Sequence, residues 1–145
     1  MNKASLPITN QKVVETLIPQ KHPFVMVDAL FEFSENNLQS GLLVTDENIF
    51  VKNHLFQESG IIEHMAQSVA LYTGYQYYLK KKKAPTGYIG SIKQAEIVQL
   101  PKTGQHITSK VQVLQEFGGV TLVEISTSSN GKAIANAQMK TVIAQ

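Results

Sequence analysis

A histidine and a glutamate lie close together in the middle of the chain. His54 falls in a polar stretch, and Glu63 follows it within one short segment. An imidazole and a carboxylic acid are side chains that proteins use for general acid–base catalysis. The pair therefore predicts proton transfer, with one group removing a proton and the other supplying one.

Helical geometry distinguishes Glu63 from its neighbour His64. Adjacent residues of a helix point about 100° apart, so Glu63 shares a face with Gln67, and His64 shares one with Ser68. Apolar residues flank Glu63 on both sides, and an apolar setting favours the protonated form of a carboxyl group. The alternative is that Glu63 only opposes the helix dipole, as acidic residues near a helix N-terminus commonly do.

One long helix must position Glu63. Ser59 is a suitable N-cap, and apolar residues recur at three- and four-residue intervals from there to about Leu79. Residues 45–58, which contain His54, have no sustained period and predict a loop. A shorter helix is predicted for residues 10–18, ended by Pro19.

The remaining segments predict antiparallel strands. Residues 24–33 and 38–44 form a predicted hairpin, and four longer strands follow at residues 88–100, 106–116, 120–128 and 132–144. We expect one α+β domain, residues 1–145, in which a curled sheet of about six strands packs around the long helix. A chain of 145 residues leaves strand edges uncovered, so a dimer is expected.

Composition excludes several classes of function. The 13 basic residues are all lysine, the 11 acidic residues nearly balance them, and cysteine is absent. Disulfides and thiolate sites are excluded, and a nucleic-acid module is disfavoured. The four histidines show no metal-ligand spacing, so no metal and no cofactor are expected. Residues 1–12 lack a secretory apolar run, and residues 65–79 are too short and polar to span a bilayer, so a cytoplasmic location is expected.

Two segments resemble the signatures of one enzyme family. Residues 17–28 resemble the Leu-Pro-His-Arg-Tyr/Phe-Pro-Phe-Leu-Leu-Val-Asp signature of the FabZ-type 3-hydroxyacyl-(acyl carrier protein) dehydratases. Residues 61–67, Ile-Ile-Glu-His-Met-Ala-Gln, resemble that family's Ile-Leu-Glu-Ala-Met-Ala-Gln. The resemblance extends weakly to residues 90–95 and 101–104. It implies a hot-dog fold, a curled antiparallel sheet wrapped around one central helix.

The resemblance also implies site residues and partners. In the family, a loop histidine works with an acid from the central helix of the other subunit of a dimer, and His54 and Glu63 stand at those positions. The segment between them is shorter than in the family and contains no proline. The shortened loop resembles divergent dehydratases of aryl-polyene and flexirubin-type pigment pathways. The dimer expected is a homodimer, or a heterodimer with another hot-dog dehydratase.

A mechanism follows as a hypothesis. Neutral His54 removes the α-proton of a 3-hydroxyacyl thioester, and protonated Glu63 donates to the departing hydroxyl group. Gln67 orients Glu63, and backbone N–H groups around Gly60 and Ile61 hold the enolate-like oxygen.

Lining and docking residues complete the hypothesis. The candidate lining of an acyl tunnel is equally compatible with ordinary core, and it comprises Phe50, Phe56, Met65, Val69 and Ile89. Lys52, Lys93 or residues 80–83 would dock an acidic acyl carrier protein, although residues 80–83 also suit a solvated helix end. Two rival functions remain: a hot-dog thioesterase, and a poorly active partner subunit that needs a second dehydratase-like chain.

Overall fold

One antiparallel sheet and one long helix make up most of the molecule. The structure, a computed structural model, describes residues 5–144. Residues 1–4 and 145, which the predicted domain includes, lie outside the described part. The helices are α1 (Gln11–Glu15) and α2 (Glu58–Leu79). The strands are β1 (Ala29–Ser34), β2 (Asn37–Leu43), β3 (Val51–Lys52), β4 (Leu55–Phe56), β5 (Gly87–Ile97), β6 (His106–Phe117), β7 (Val120–Ser129) and β8 (Lys132–Ile143).

The large sheet has six strands in the order β1-β2-β6-β7-β8-β5, and β3 pairs with β4 in a separate small hairpin. Every pairing is antiparallel. The predicted α+β architecture of about six strands with one long helix is confirmed.

The core lies between α2 and one face of this sheet. Alternate residues of the central strands are buried, such as Ile107 and Val111 on β6 and Val123 on β7, whereas Lys110 and Ser126 point to the other, exposed side. This alternation is the period of two expected for strands with one covered face.

The chain after α1 crosses α2 at a glycine. A Cβ atom added at Gly74 would lie 1.8 Å from the carbonyl oxygen of Leu17. Only glycine therefore permits this approach, which fixes α1 and the following segment against the helix.

Several predicted boundaries are wrong. The helix predicted for residues 10–18 is shorter, although Asn10 caps it as expected by accepting from the Lys12 N–H. Helix α2 begins two residues earlier than predicted, because its N-cap residue is Gln57 rather than Ser59, and the Gln57 side chain makes no capping bond. The strand predicted from Phe24 begins only at Ala29, because the backbone before it bonds to side chains of α2.

The predicted loop of residues 45–58 contains the β3–β4 hairpin. Its two turn residues, Asn53 and His54, have φ angles of 54° and 63°. Positive φ at both central positions is typical of the tight turn that joins short antiparallel strands.

The two edges of the sheet differ. Backbone hydrogen bonds of 2.8 Å join Ile8 to Leu30 and cover the β1 edge. Among the described residues, β5 pairs with β8 alone, and Tyr88, Ile89 and Ile92 on it are exposed. A long apolar edge strand with unpaired backbone groups is a template for pairing with another chain.

Candidate active site

Glu63 lies in the second turn of α2, and its half-buried carboxylate is held by Gln67. The Gln67 Nε2 group donates to Glu63 Oε2 at 2.7 Å. This is the i, i+4 contact that the sequence predicts. The helix itself therefore fixes the direction of the carboxylate.

Gln67 is in turn fixed by the extended segment before β1. Its Nε2 group also donates to the carbonyl oxygen of Phe24 at 2.7 Å, and its Oε1 atom accepts from the Met26 N–H at 2.7 Å. Both N–H groups of the fully buried amide are used, and the backbone partners leave only one assignment of its oxygen and nitrogen. The two segments that resemble family signatures thus meet at Gln67.

His54 lies at the exposed turn of the β3–β4 hairpin. Its side chain is 77% exposed, and Nδ1 lies 2.8 Å from Oδ1 of Asp46. Because the carboxylate accepts, Nδ1 carries the proton and the Nε2 lone pair of neutral His54 is left free. Thr103 N–H donates to the His54 carbonyl oxygen at 2.9 Å and ties the turn to the chain before β6.

Asp46 contacts the candidate residue His54, and the sequence analysis missed this contact. It orients the His54 ring from eight residues away, across a segment whose turn the sequence did not reveal. Within residues 5–144, His54 and Glu63 share no hydrogen bond. Asp46 holds the His54 ring, whereas Gln67 holds the Glu63 carboxylate. A substrate that contacts both side chains must therefore reach two separately held groups.

The start of α2 differs from the hypothesis for oxyanion binding. The N–H groups of Gly60 and Ile61 already donate to the Gln57 carbonyl oxygen, at 3.0 and 3.1 Å. Gly60 has a packing role instead, because a Cβ atom there would lie 2.5 Å from the Phe56 ring.

A groove of about 490 Å³ runs along α2 beyond Glu63. On the helix its lining includes Ala66, Ala70, Thr73 and Tyr77. These residues follow Glu63 at alternating intervals of three and four, so they share its face of the helix. The opposite wall is formed by the ends of β5, β8 and the β6–β7 hairpin, including Tyr88 and Phe117.

The predicted tunnel residues separate into two groups. Val69 and Ile89 line the groove. Phe56 and Met65 are fully buried in the core, and Phe50 packs against that core. The positions of large apolar residues in the sequence did not distinguish core from lining, because the face of α2 that packs on the core and the face that lines the groove are both apolar.

His64 belongs to a buried polar network. Its Nδ1 atom lies 2.7 Å from the Met26 carbonyl oxygen, and Nε2 lies 2.8 Å from the Ser109 hydroxyl, which contacts Thr127 at 2.6 Å. Burial lowers the pKa of His64 to about 4. The imidazole is therefore neutral near pH 7.

The lysines proposed for docking are all exposed. Lys52 is on β3, Lys93 is on β5, and residues 80–83 follow α2 directly. Lys80 also lines the groove, and its ammonium group lies 5.5 Å from the centre of the Tyr77 ring. A positive charge therefore stands at the groove.

No group of three or more histidine, aspartate or glutamate side chains in residues 5–144 is placed to hold a metal ion. None of the helices in this range has the length and apolar character required to cross a membrane.

Comparisons with known proteins agree with this fold. Residues 12–145 match the ApeP-like family model, described as ApeP dehydratase. The 3-hydroxyacyl-(acyl carrier protein) dehydratase FabZ of Vibrio cholerae is 24% identical over 145 residues, which cover 96% of this chain and 92% of that protein. An uncharacterized thioester dehydrase of Halalkalibacterium halodurans is 26% identical, with 85% and 82% covered.

A solved structure gives the fold independently. A chain of the dehydratase heterocomplex ApeI:P from Xenorhabdus doucetiae superposes with a TM-score of 0.84 at 17% identity, covering 91% of each chain. These matches confirm the resemblance to FabZ-type dehydratases and the hot-dog fold it implies.

Proposed function

The chain belongs to the ApeP-like dehydratase family, and from that premise we propose that it removes water from a 3-hydroxyacyl thioester carried on an acyl carrier protein. The product is the trans-2-enoyl thioester. The observation that carries this proposal is the Glu63 carboxyl group, which Gln67 holds on the face of α2 that, from Ala66 onward, lines a groove of about 490 Å³.

Two side chains divide the reaction. The Nε2 lone pair of His54 removes a proton from the α-carbon, and the electron pair of that C–H bond forms the double bond. The C–O bond at the third carbon breaks, and protonated Glu63 donates to the leaving hydroxide so that water departs. The proton on His54 then returns to Glu63 through solvent. General acid–base groups of this kind each contribute roughly 10²- to 10⁴-fold.

A second subunit would bring His54 and Glu63 together. Since His54 and Glu63 are unconnected within one chain, we propose that the imidazole of one subunit faces the acid of the other. The open β5 edge is the pairing surface. The partner is a second copy or, as in the heterocomplex of the structural neighbour, another hot-dog dehydratase.

The groove supports a position for the acyl chain. A chain whose third carbon is at Glu63 would pass Ala66 and Ala70 and reach Tyr77 after about 20 Å of helix. Aromatic rings near the far end favour an extended unsaturated or aryl-ended chain over a short saturated one. The substrate thus belongs to fatty acid or aryl-polyene/flexirubin-type biosynthesis, with the exposed lysines docking the acidic carrier.

A second function has one observation in its favour. His54 is exposed in a turn, and its ring is held by a surface carboxylate, Asp46, which is 56% exposed. This chain would then be a poorly active partner subunit of a heterodimer. A thioesterase on the same fold is the third reading, and membership of a dehydratase family argues against it.

The test compares the chain alone with the chain plus a second hot-dog dehydratase. Each is incubated with a 3-hydroxyacyl thioester on acyl carrier protein, and enoyl thioester and free thiol are both measured. Glu63→Gln should lower enoyl formation by about 100-fold or more, whereas Glu58→Gln, an exposed glutamate one turn earlier, should not. His54→Ala is compared in the same way with His22→Ala.

Each outcome assigns one function. Activity of the chain alone supports the homodimeric enzyme. Activity that appears only with the second chain and survives His54→Ala supports the partner subunit. Free thiol without enoyl product would establish the thioesterase and overturn the dehydratase.

Assembly is tested separately at the β5 edge. Ile92→Lys places a charge on this exposed strand, and Leu114→Lys places one at a similarly exposed position on the central strand β6. Light scattering should show the dimer lost only in the Ile92 variant. A dimer that survives Ile92→Lys would contradict pairing along β5.

A further inference from the structure

We propose that His64 is a positioning residue: it anchors Met26, and through Met26 and Gln67 it fixes the carboxyl group of Glu63. This inference rests on the proposed function. His64 contacts no reacting atom, since its ring is fully buried on the core side of α2.

Met26 is the point at which the supports converge. Its carbonyl oxygen accepts from His64 Nδ1 at 2.7 Å, and its N–H donates to Gln67 Oε1 at 2.7 Å. Its sulfur also accepts from Asn48 Nδ2 at 3.2 Å. Two side chains of α2 therefore bind the backbone of Met26: His64 binds its carbonyl oxygen, and Gln67 binds its N–H group.

A shift of Met26 would be transmitted to the acid. The side-chain oxygen of Gln67 accepts from Met26, and its two side-chain N–H groups donate to Phe24 and Glu63. If the Met26 N–H moves, the amide must turn to follow it, and the bond to Glu63 Oε2 is lost or misaligned. An error of about 1 Å in the placement of a reacting group lowers rates by about 100-fold.

The hydrogen bonds around His64 have one possible direction. A carbonyl oxygen only accepts, so Nδ1 carries the proton and Nε2 accepts from the Ser109 hydroxyl, which in turn accepts from Thr127. The ring is held from both sides and cannot rotate without leaving a buried polar group unpaired. The FabZ-type motif that residues 61–67 resemble has alanine at this position, and an alanine side chain makes neither bond.

Three variants separate positioning from stability. His64→Leu removes both ring bonds at similar volume. His64→Asn keeps a donor near the Met26 carbonyl oxygen and drops the Ser109 bond. Ser109→Ala is the matched control, because it removes a partner of the same ring but leaves the Met26 bond intact.

The expected result is a split between kcat and stability. All three variants should unfold at lower temperature than the wild type, but kcat should fall by about tenfold or more only in His64→Leu, with KM little changed. Asparagine should restore most of the loss. Equal kcat in His64→Leu and Ser109→Ala would overturn the inference and leave His64 an ordinary core residue.

A second readout does not depend on activity. The side-chain NH₂ signals of Gln67 in a ¹H–¹⁵N spectrum should be protected from exchange in the wild type, His64→Asn and Ser109→Ala, and should lose protection in His64→Leu. Unchanged protection in His64→Leu overturns the inference. If that variant does not fold, His64→Gln replaces it, because its amide reaches Ser109 but places no donor at Met26.

The two proposals fail in different ways. A wild-type protein that forms no enoyl thioester with any partner refutes the dehydratase, and the Gln67 signals then decide alone whether His64 anchors Met26. Wild-type activity that is lost in Glu63→Gln but kept in His64→Leu refutes only the anchor.

Discussion

Mild acid should destabilise this protein through His64. Its imidazole is fully buried, and burial lowers its pKa to about 4 from the usual 6.5, against a smaller opposing effect of the Met26 hydrogen bond. In the unfolded chain the group regains its ordinary pKa. Between these two values the unfolded state binds more protons than the folded state, so stability falls as pH falls. The neutral imidazole's contribution is complete above about pH 6.5 and is lost towards pH 4.

The magnitude follows from the width of this window. Each unit of pKa difference corresponds to about 1.4 kcal/mol, so acidification from pH 7 to 4.5 should lower the free energy of unfolding by about 2.5 kcal/mol. Domains of this size are stable by roughly 5–15 kcal/mol. The loss is therefore a measurable share of the total.

The assay is urea unfolding at a series of pH values between 7.5 and 4.5, in the wild type and in His64→Leu. Asp28, whose pKa is raised by burial, acts in the opposite direction, since its folded state gains protons first. It is present in both proteins, so the difference between their pH slopes isolates His64. That difference should approach about 1.4 kcal/mol per pH unit below pH 6.

His22→Leu, at an exposed histidine, is the control and should keep the wild-type slope. Parallel slopes in wild type and His64→Leu would refute the argument from burial.

Three further outcomes follow from the geometry at other positions. Gly74→Ala sets a methyl group 1.8 Å from the Leu17 carbonyl oxygen, so the free energy of unfolding should fall by about 3 kcal/mol; a midpoint in urea equal to wild type would contradict the close approach. Asp46→Ala removes the acceptor that orients His54, so kcat should fall by about tenfold with the fold retained; an unchanged rate would remove Asp46 from the site. Ala70→Phe fills the groove, so KM should rise for long acyl thioesters and not for short ones; equal effects on both would place the acyl chain elsewhere.

Local geometry explains what the sequence predicts well. The long helix and the Glu63–Gln67 contact depend only on 3.6 residues per turn and on side chains four residues apart. The structure reproduces both. The strand alternation of the second half is likewise a local pattern, and β6, β7 and β8 lie where it predicts them.

The β3–β4 hairpin could not be predicted in this way. Each of its strands has two residues, which is too few for an alternating pattern to appear. Its turn requires left-handed backbone at both Asn53 and His54. Asparagine and histidine are both enriched in that conformation, but positive φ is uncommon even for them, so the pair alone does not locate a turn.

Contacts between residues far apart in the sequence also cannot be predicted from local patterns. His64 reaches Met26 over 38 residues and Ser109 over 45. The period of α2 places His64 on a different face from Glu63, but it does not reveal which backbone group lies beside His64. For the same reason Gly60 and Ile61 were assigned free N–H groups that the first turn of the helix already uses.

The two proposed catalytic groups are supported in opposite ways, and this difference bears on how the protein works. Glu63 is fixed from the core side, through Gln67 and a buried segment, whereas His54 depends on an exposed turn and an exposed carboxylate. An exposed side-chain contact of this kind contributes little energy by itself. Contacts within this chain therefore fix the position of Glu63, whereas His54 needs further contacts from a molecule that covers the turn. In a pair of unlike subunits, this chain is accordingly better suited to supply the acid than the base, and a partner that brings its own histidine to Glu63 would make His54 dispensable.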